Sequence, residues 1–178
     1  ALPIVGGHVG QILLGLTDSV MIGRAGTVPL AASAFAGAVF GVIYVAAIGL
    51  LTAVAVRTAF AFGAGQPRHA GEVLRHGLLI AVISSVILAF ALQVLTGFLG
   101  VFRQPPEVAR EARTYLAIIG WSLVPGLLFL ALKQFYEALN RPWIPMVWVL
   151  IGVVTNIFLN WVLIYGNLGA PALGLEGA

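Results

Sequence analysis

Long apolar runs, broken by short clusters of glycine, proline and charged residues, divide the chain into five segments. The first run covers 2–22 and ends at Gly23-Arg24-Ala25-Gly26. The second, 29–62, exceeds what a bilayer requires and ends at Gly63-Ala64-Gly65-Gln66-Pro67. The third opens amphipathic, with Arg68, His69, Glu72, Arg75 and His76, and turns apolar over 77–101. After Gln104-Pro105-Pro106, a fourth covers 107–139, with Glu107 in the first turn, where the helix dipole favours an acid. Asn140-Arg141-Pro142 leads into the fifth, 143–165, and 166–178 reads as a loop approaching a further span. About 20 apolar residues cross a hydrocarbon core, and a helix satisfies its own backbone there. The pattern therefore predicts an all-α, polytopic transmembrane bundle of about five spans.

Composition agrees. Of the 178 residues 61% are hydrophobic and 8% charged, with a mean hydropathy of +1.06. A soluble domain carries about 25% charged residues, so this chain lacks the groups to cover a water-facing surface. The net charge of +3 is scattered over loops and forms no basic stripe, which argues against nucleic-acid binding. The absence of cysteine excludes disulfides and thiolate chemistry. The first run has no basic leader or cleavage site and reads as a span, not a signal peptide. If the N-terminus is inside, Arg68, Arg75 and Arg141, with Arg57 close by, oppose Arg24, Arg103, Arg110 and Arg113 outside, so positive charge does not set the orientation. No HExxH, GxSxG or phosphate-cradling loop is present, and the chain reads as a non-enzyme.

Function is best sought among the polar residues within the runs. Asp18 is the sole formal charge over 2–22. A carboxylate in hydrocarbon costs at least ~2.5 kcal/mol at a helix centre, so it faces protein or water and marks a functional candidate. His8, Gln11, Gly15 and Asp18 are spaced to fall within about 80° on one helix face, consistent with a cavity-facing stripe. In the fifth run Asn156 and Asn160 share a face, with Thr155 beside them. Two amide oxygens beside one carboxylate suit a sodium ion, although the same groups could simply tie helices together. Lys133, Gln134 and Glu137 lie near the end of the fourth run, where a solvated helix end with a snorkelling lysine is the simpler reading. Pro125-Gly126 in mid-run is a candidate hinge.

In this order the segments resemble the multidrug and toxic compound extrusion (MATE) family of transporters. The resemblance rests on Ala1-Leu2-Pro3-Ile4, on Thr17-Asp18-Ser19-Val20-Met21-Ile22-Gly23-Arg24, and on Val56-Arg57 followed by Gly63-Ala64-Gly65. It continues through Gln134 with Glu137-Ala138-Leu139, Pro145-Met146, and Asn156-Ile157-Phe158-Leu159-Asn160 running into Tyr165-Gly166 and Gly174-Leu175-Glu176-Gly177-Ala178. Asn160, where the DinF-type branch has Asp, points to the NorM-type branch, and Phe60 departs from a commonly polar position.

The resemblance implies a twelve-helix, two-lobe antiporter that exports cationic amphipathic compounds against sodium or protons. Residues 1–178 would form most of its N-terminal lobe. Asp18 would be the coupling carboxylate, with Asn156 and Asn160 beside it and His8, Gln11, Thr155, Gln134 and Glu137 as candidate cavity lining. No cofactor beyond the coupling ion and no structural metal are implied. The implied partners are cationic substrates, membrane lipid, and the sixth helix and second lobe of the transporter, in a bacterial inner membrane. The alternatives are a flippase for lipid-linked oligosaccharides and a non-transporting scaffold. The flippase would need cations inside the spans for pyrophosphate, where only Arg57 and Lys133 come close.

Overall fold

The computed structural model describes residues 2–169 and 171–177; Ala1 and Ala178, the outermost residues of the motifs above, lie outside the described residues. Among the described residues six α-helices follow one another: α1 Leu2–Ala25, α2 Thr27–Gly63, α3 Pro67–Thr96, α4 Pro106–Ile119, α5 Leu123–Ala138 and α6 Trp143–Leu163. With α4 and α5 forming one continuous path, five helical segments are long and apolar enough to cross a membrane. Only Gly26 separates α1 from α2. Its φ of 147° lies where a side chain is disfavoured, so the chain reverses within one residue.

Boundaries differ from the apolar runs in three places, each for a local reason. The amphipathic stretch and apolar run of the third segment are one helix, started by Pro67 in its first turn, where the missing N–H costs nothing. That helix stops at Thr96, not near Val101, and a 3-10 turn over Leu99–Phe102 folds the fully buried Leu99 into the core. In the fourth segment the break lies at Gly120–Ser122, a 3-10 turn, while Pro125 and Gly126 sit inside α5. Proline withholds its N–H from the carbonyl four residues back, here Trp121, and crowds it, so the distortion lands upstream. Gln93 of α3 supports the break by donating to the Ala117 carbonyl at 2.7 Å. Beyond α6, the expected loop instead makes 3-10 turns at Asn167–Gly169 and Gly174–Gly177. It folds back so that the Leu173 N–H donates to the Leu163 carbonyl at 2.9 Å.

Two apolar clusters stack along the bundle. One gathers Ile22, Ala32, Ala36, Leu92, Leu99, Ala112, Leu116, Ile164 and Leu175, near the ends of α1, α3 and α6. The other joins Ala47, Leu51, Val54, Ala81, Ala89, Leu123, Leu127 and Ala131 of α2, α3 and α5. Small residues let these helices approach closely, as lipid-embedded helices do.

Helices α1 and α6 run parallel and in contact. A methyl on Gly6 would lie 3.1 Å from the Met146 sulfur, and one on Gly10 only 2.8 Å from Val149 Cγ1. This close approach sets the register that brings Asp18 level with Asn160. Gly10→Leu is therefore expected to destabilise the fold by about 1–3 kcal/mol through overpacking. Val149→Ala, by clearing space opposite, should restore part of the loss. Thermal unfolding of detergent-solubilised protein measures both; an unaltered melting curve for Gly10→Leu would mean that α1 and α6 do not pack this way.

Candidate functional site

The site is assembled from the facing rows of α1 and α6. On α1, Gly6 and Gly10 lie four residues apart and Asp18 eight further on, along the seam with α6. On α6, Met146, Val149, Asn156 and Asn160 are spaced by three, seven and four and share a face, and apolar contact below delivers polar contact above. The Asn160 amide nitrogen donates to Asp18 Oδ1 at 2.6 Å and to Asn156 Oδ1 at 3.3 Å. Both hydrogens of that amide are thus committed. Asn160 is 2% exposed, so its side chain has little water to fall back on, whereas Asp18 and Asn156 are half-buried. A short bond from a buried amide to an ionised acceptor is among the stronger kinds.

The cluster lies about 10 Å inside the end of α1, seven residues before Ala25 at 1.5 Å per residue. Asp18 has no cation paired with it; the salt bridges among the described residues are His69–Glu72 and Lys133–Glu137. Its compensation comes from amide dipoles. Those amides and the carboxylate together offer only hard oxygen donors, which fits a sodium ion or a proton. No group of three or more His, Cys, Asp or Glu residues able to hold a metal occurs among the described residues.

Of the other sequence candidates, Thr155 is exposed on a neighbouring face of α6 and does not join the cluster. His8 and Gln11 are exposed on α1, one turn or more below, so the four-residue stripe divides: Asp18 turns to α6 and the other two do not. Gln134 and Glu137 are half-buried in the last turns of α5, and Glu137 Oε1 lies 3.8 Å from the Lys133 ammonium. Lys133 also borders a cavity of about 360 Å³ between α5 and α6, walled by Phe129, Tyr136, Pro145 and Trp148.

Three groups were given no role by the sequence reading. Tyr115 of α4 packs against the first apolar cluster. The Tyr165 hydroxyl donates to the Met21 carbonyl at 3.1 Å and ties the end of α6 to α1. Glu111 has one carboxylate oxygen buried without a partner and borders a cavity of about 390 Å³ with Arg110 and Glu176. Tyrosines carry no periodic signal in so apolar a chain, and Glu111 is hidden among the charges that open α4.

A double-mutant cycle tests the central bond. Asp18→Ala combined with Asn160→Ala should return a coupling of about 1.5–3 kcal/mol, as expected for a hydrogen bond to a charged group. The same cycle with Thr155→Ala should return none. Equal couplings would remove Asn160 from its special position.

With this geometry in hand, comparison with known proteins places the chain. The MatE family profile matches residues 3–162, and the chain belongs to that family. The probable multidrug resistance protein NorM of Rhodopseudomonas palustris is 38% identical over 179 residues, covering all of this chain and 38% of the relative. The multidrug resistance protein NorM of Aliivibrio fischeri is 30% identical, covering 98% of this chain and 38% of that protein. The chain thus spans well under half the length of the curated relatives it matches. Among solved structures, an outward-facing multidrug resistance MATE family transporter of the MOP superfamily superposes with a TM-score of 0.89 at 23% identity, over 99% of this chain and 39% of that one. A MOP superfamily transporter from Pyrococcus furiosus, described as having a binding pocket of reverse polarity, gives a TM-score of 0.89 at 22% identity, over 99% and 38%. The helical bundle is therefore the MATE fold, and the protein is an integral inner-membrane protein.

Proposed function

We propose that the chain forms most of the N-terminal lobe of a cation-coupled multidrug antiporter, with Asp18 as the coupling carboxylate and Asn156 and Asn160 as its partners. It acts as a transporter and not as an enzyme. The supporting observation is the 2.6 Å bond from buried Asn160 to an intramembrane carboxylate that has no cationic partner. The multidrug resistance names of the relatives support the export of drugs, and an acidic, partly aromatic interior favours cationic amphiphiles. The remaining helices and a second lobe complete the transport path.

The geometry suggests how an ion acts. In the present arrangement Asn160 donates to Asp18. A proton on the acid, or a sodium ion beside it, lowers the negative charge that Asn160 meets. Either ion therefore weakens the charge-assisted part of the same hydrogen bond. A ligand shifts an equilibrium only by its differential affinity for the two states, and this loss of charge assistance provides such a difference. Because the same oxygens serve both ions, the coupling ion is a matter for measurement.

Proteoliposomes holding the full-length natural protein that carries this chain supply the test. Efflux of a fluorescent cationic dye is followed under a sodium gradient and, separately, a proton gradient. Wild type should export the dye under at least one gradient, and the effective gradient names the ion. Asp18→Asn should reduce gradient-driven export at least about tenfold, the equivalent of 1.4 kcal/mol. Asn160→Leu should reduce it as well, and circular dichroism should show both variants folded. Absence of export by wild type would discard the drug antiporter and direct attention to lipid-linked substrates, whereas full activity in Asp18→Asn would leave the carboxylate a structural tie.

A further inference from the structure

The opposite end of the bundle carries a charge that the coupling site does not use. Arg57 lies on α2, six residues before its end at Gly63 and so about 9 Å inside it. The residues around it on α2 are apolar except for Thr52 and Thr58. It is exposed, and neither of the salt bridges among the described residues includes it. A guanidinium is expensive wherever hydrocarbon reaches it, unless it snorkels or meets an anion.

The cavity beside it has the character of a headgroup pocket. About 390 Å³ in volume, it lies between α2 and α3 and is lined by Arg57, His69, Glu72 and His76, with Val54, Gly77 and Ile80 among its apolar walls. Gly77 allows the two helices to cross there, since a methyl at that position would lie 2.7 Å from Val54 Cγ2. Arg68 joins His69 and Glu72 around an adjoining recess. One carboxylate, Glu72, counts against an anion. It is already engaged by His69 Nδ1 at 3.3 Å, and its main-chain carbonyl by His76 Nδ1 at 2.8 Å. Two arginines against one acid leave an excess of positive charge.

We propose that this cavity binds the phosphate headgroup of an anionic membrane lipid, with Arg57 as the principal ligand. A guanidinium fits phosphate with two parallel hydrogen bonds, which a lysine could not match. The occupant is a lipid and not a soluble phosphate because the cavity continues into surface that suits acyl chains. Ile80 lines it and is 46% exposed, next to Leu79 at 53%. Phe60 and Phe62, 76% and 52% exposed, stand one turn nearer the helix end, where aromatic side chains settle at the membrane interface. Basic pockets between spans are a recurrent means of holding anionic headgroups. The proposal needs only a membrane-embedded chain and stands or falls separately from dye export.

The experiment uses the full-length natural protein in nanodiscs containing phosphatidylcholine and a minority of phosphatidylglycerol. The lipid retained after detergent extraction is quantified by mass spectrometry. Phosphatidylglycerol should be enriched over its bulk fraction on wild type. Arg57→Gln should lower that enrichment about fivefold, the weight of one basic residue near an anionic surface. Ala53→Phe fills the cavity without removing a charge and should have a similar effect, which keeps the test meaningful if the arginine variant fails to fold. Arg141→Gln, a basic residue of the α5–α6 turn, should leave the enrichment intact. Unchanged enrichment in both cavity variants overturns the proposal, as does equal retention of the two lipids by wild type. Displacement of the lipid by inorganic phosphate alone would assign the cavity to a soluble anion and overturn it too.

Discussion

A carboxylate two turns inside an apolar helix must find its hydrogen bonds within the protein, and the arrangement of α1 and α6 answers that need. Lipid offers no donors, so the amide of Asn160 supplies one at 2.6 Å. For the bond to form, α6 must lie parallel to α1 at the right height and almost touching it. Gly6 and Gly10 permit the approach, and Met146 and Val149 occupy the space they leave. Local sequence, packing and polar chemistry thus agree on one register, in which the buried Asn160 meets Asp18. The tie from Tyr165 to the Met21 carbonyl holds the same register from the far side of the cluster.

Much of this was legible in the residues. Five apolar runs gave five crossing segments because, in lipid, length and apolarity alone nearly dictate a helix. Asp18 and the two asparagines stood out for the same reason: a polar group costs so much there that its presence needs a cause. Spacing put the two asparagines on one face of α6, and the family resemblance implied that this face meets Asp18.

What stayed hidden depended on contacts between segments. The fracture of the fourth crossing segment lies at Gly120–Ser122, because proline acts on the carbonyl four residues earlier and Gln93, from another helix, supports the turn. Leu99 ends an apolar run as part of a separate 3-10 turn because a buried position awaits it in the core. The split between Asp18 and His8 or Gln11 reflects which side of α1 meets α6, which no periodicity within α1 can state. Tyr115 carries no local mark, and only the fold packs it against the first apolar cluster.

The two apolar clusters bear on mechanics. Among the described residues, α1 contributes Ile22, with Met21 packed alongside, and the end of α6 contributes Ile164, all near one end of the bundle. At the other end α6 faces α5 across an open cavity. With Asp18 in its proposed coupling role, the pair is built like a lever hinged beside that hydrogen bond. From Ile22 back to Ile4 the arm is about 27 Å long, so a tilt of only ~10° carries its free end roughly 5 Å. A change of one hydrogen bond at the hinge is thereby scaled up to the dimensions of a small molecule.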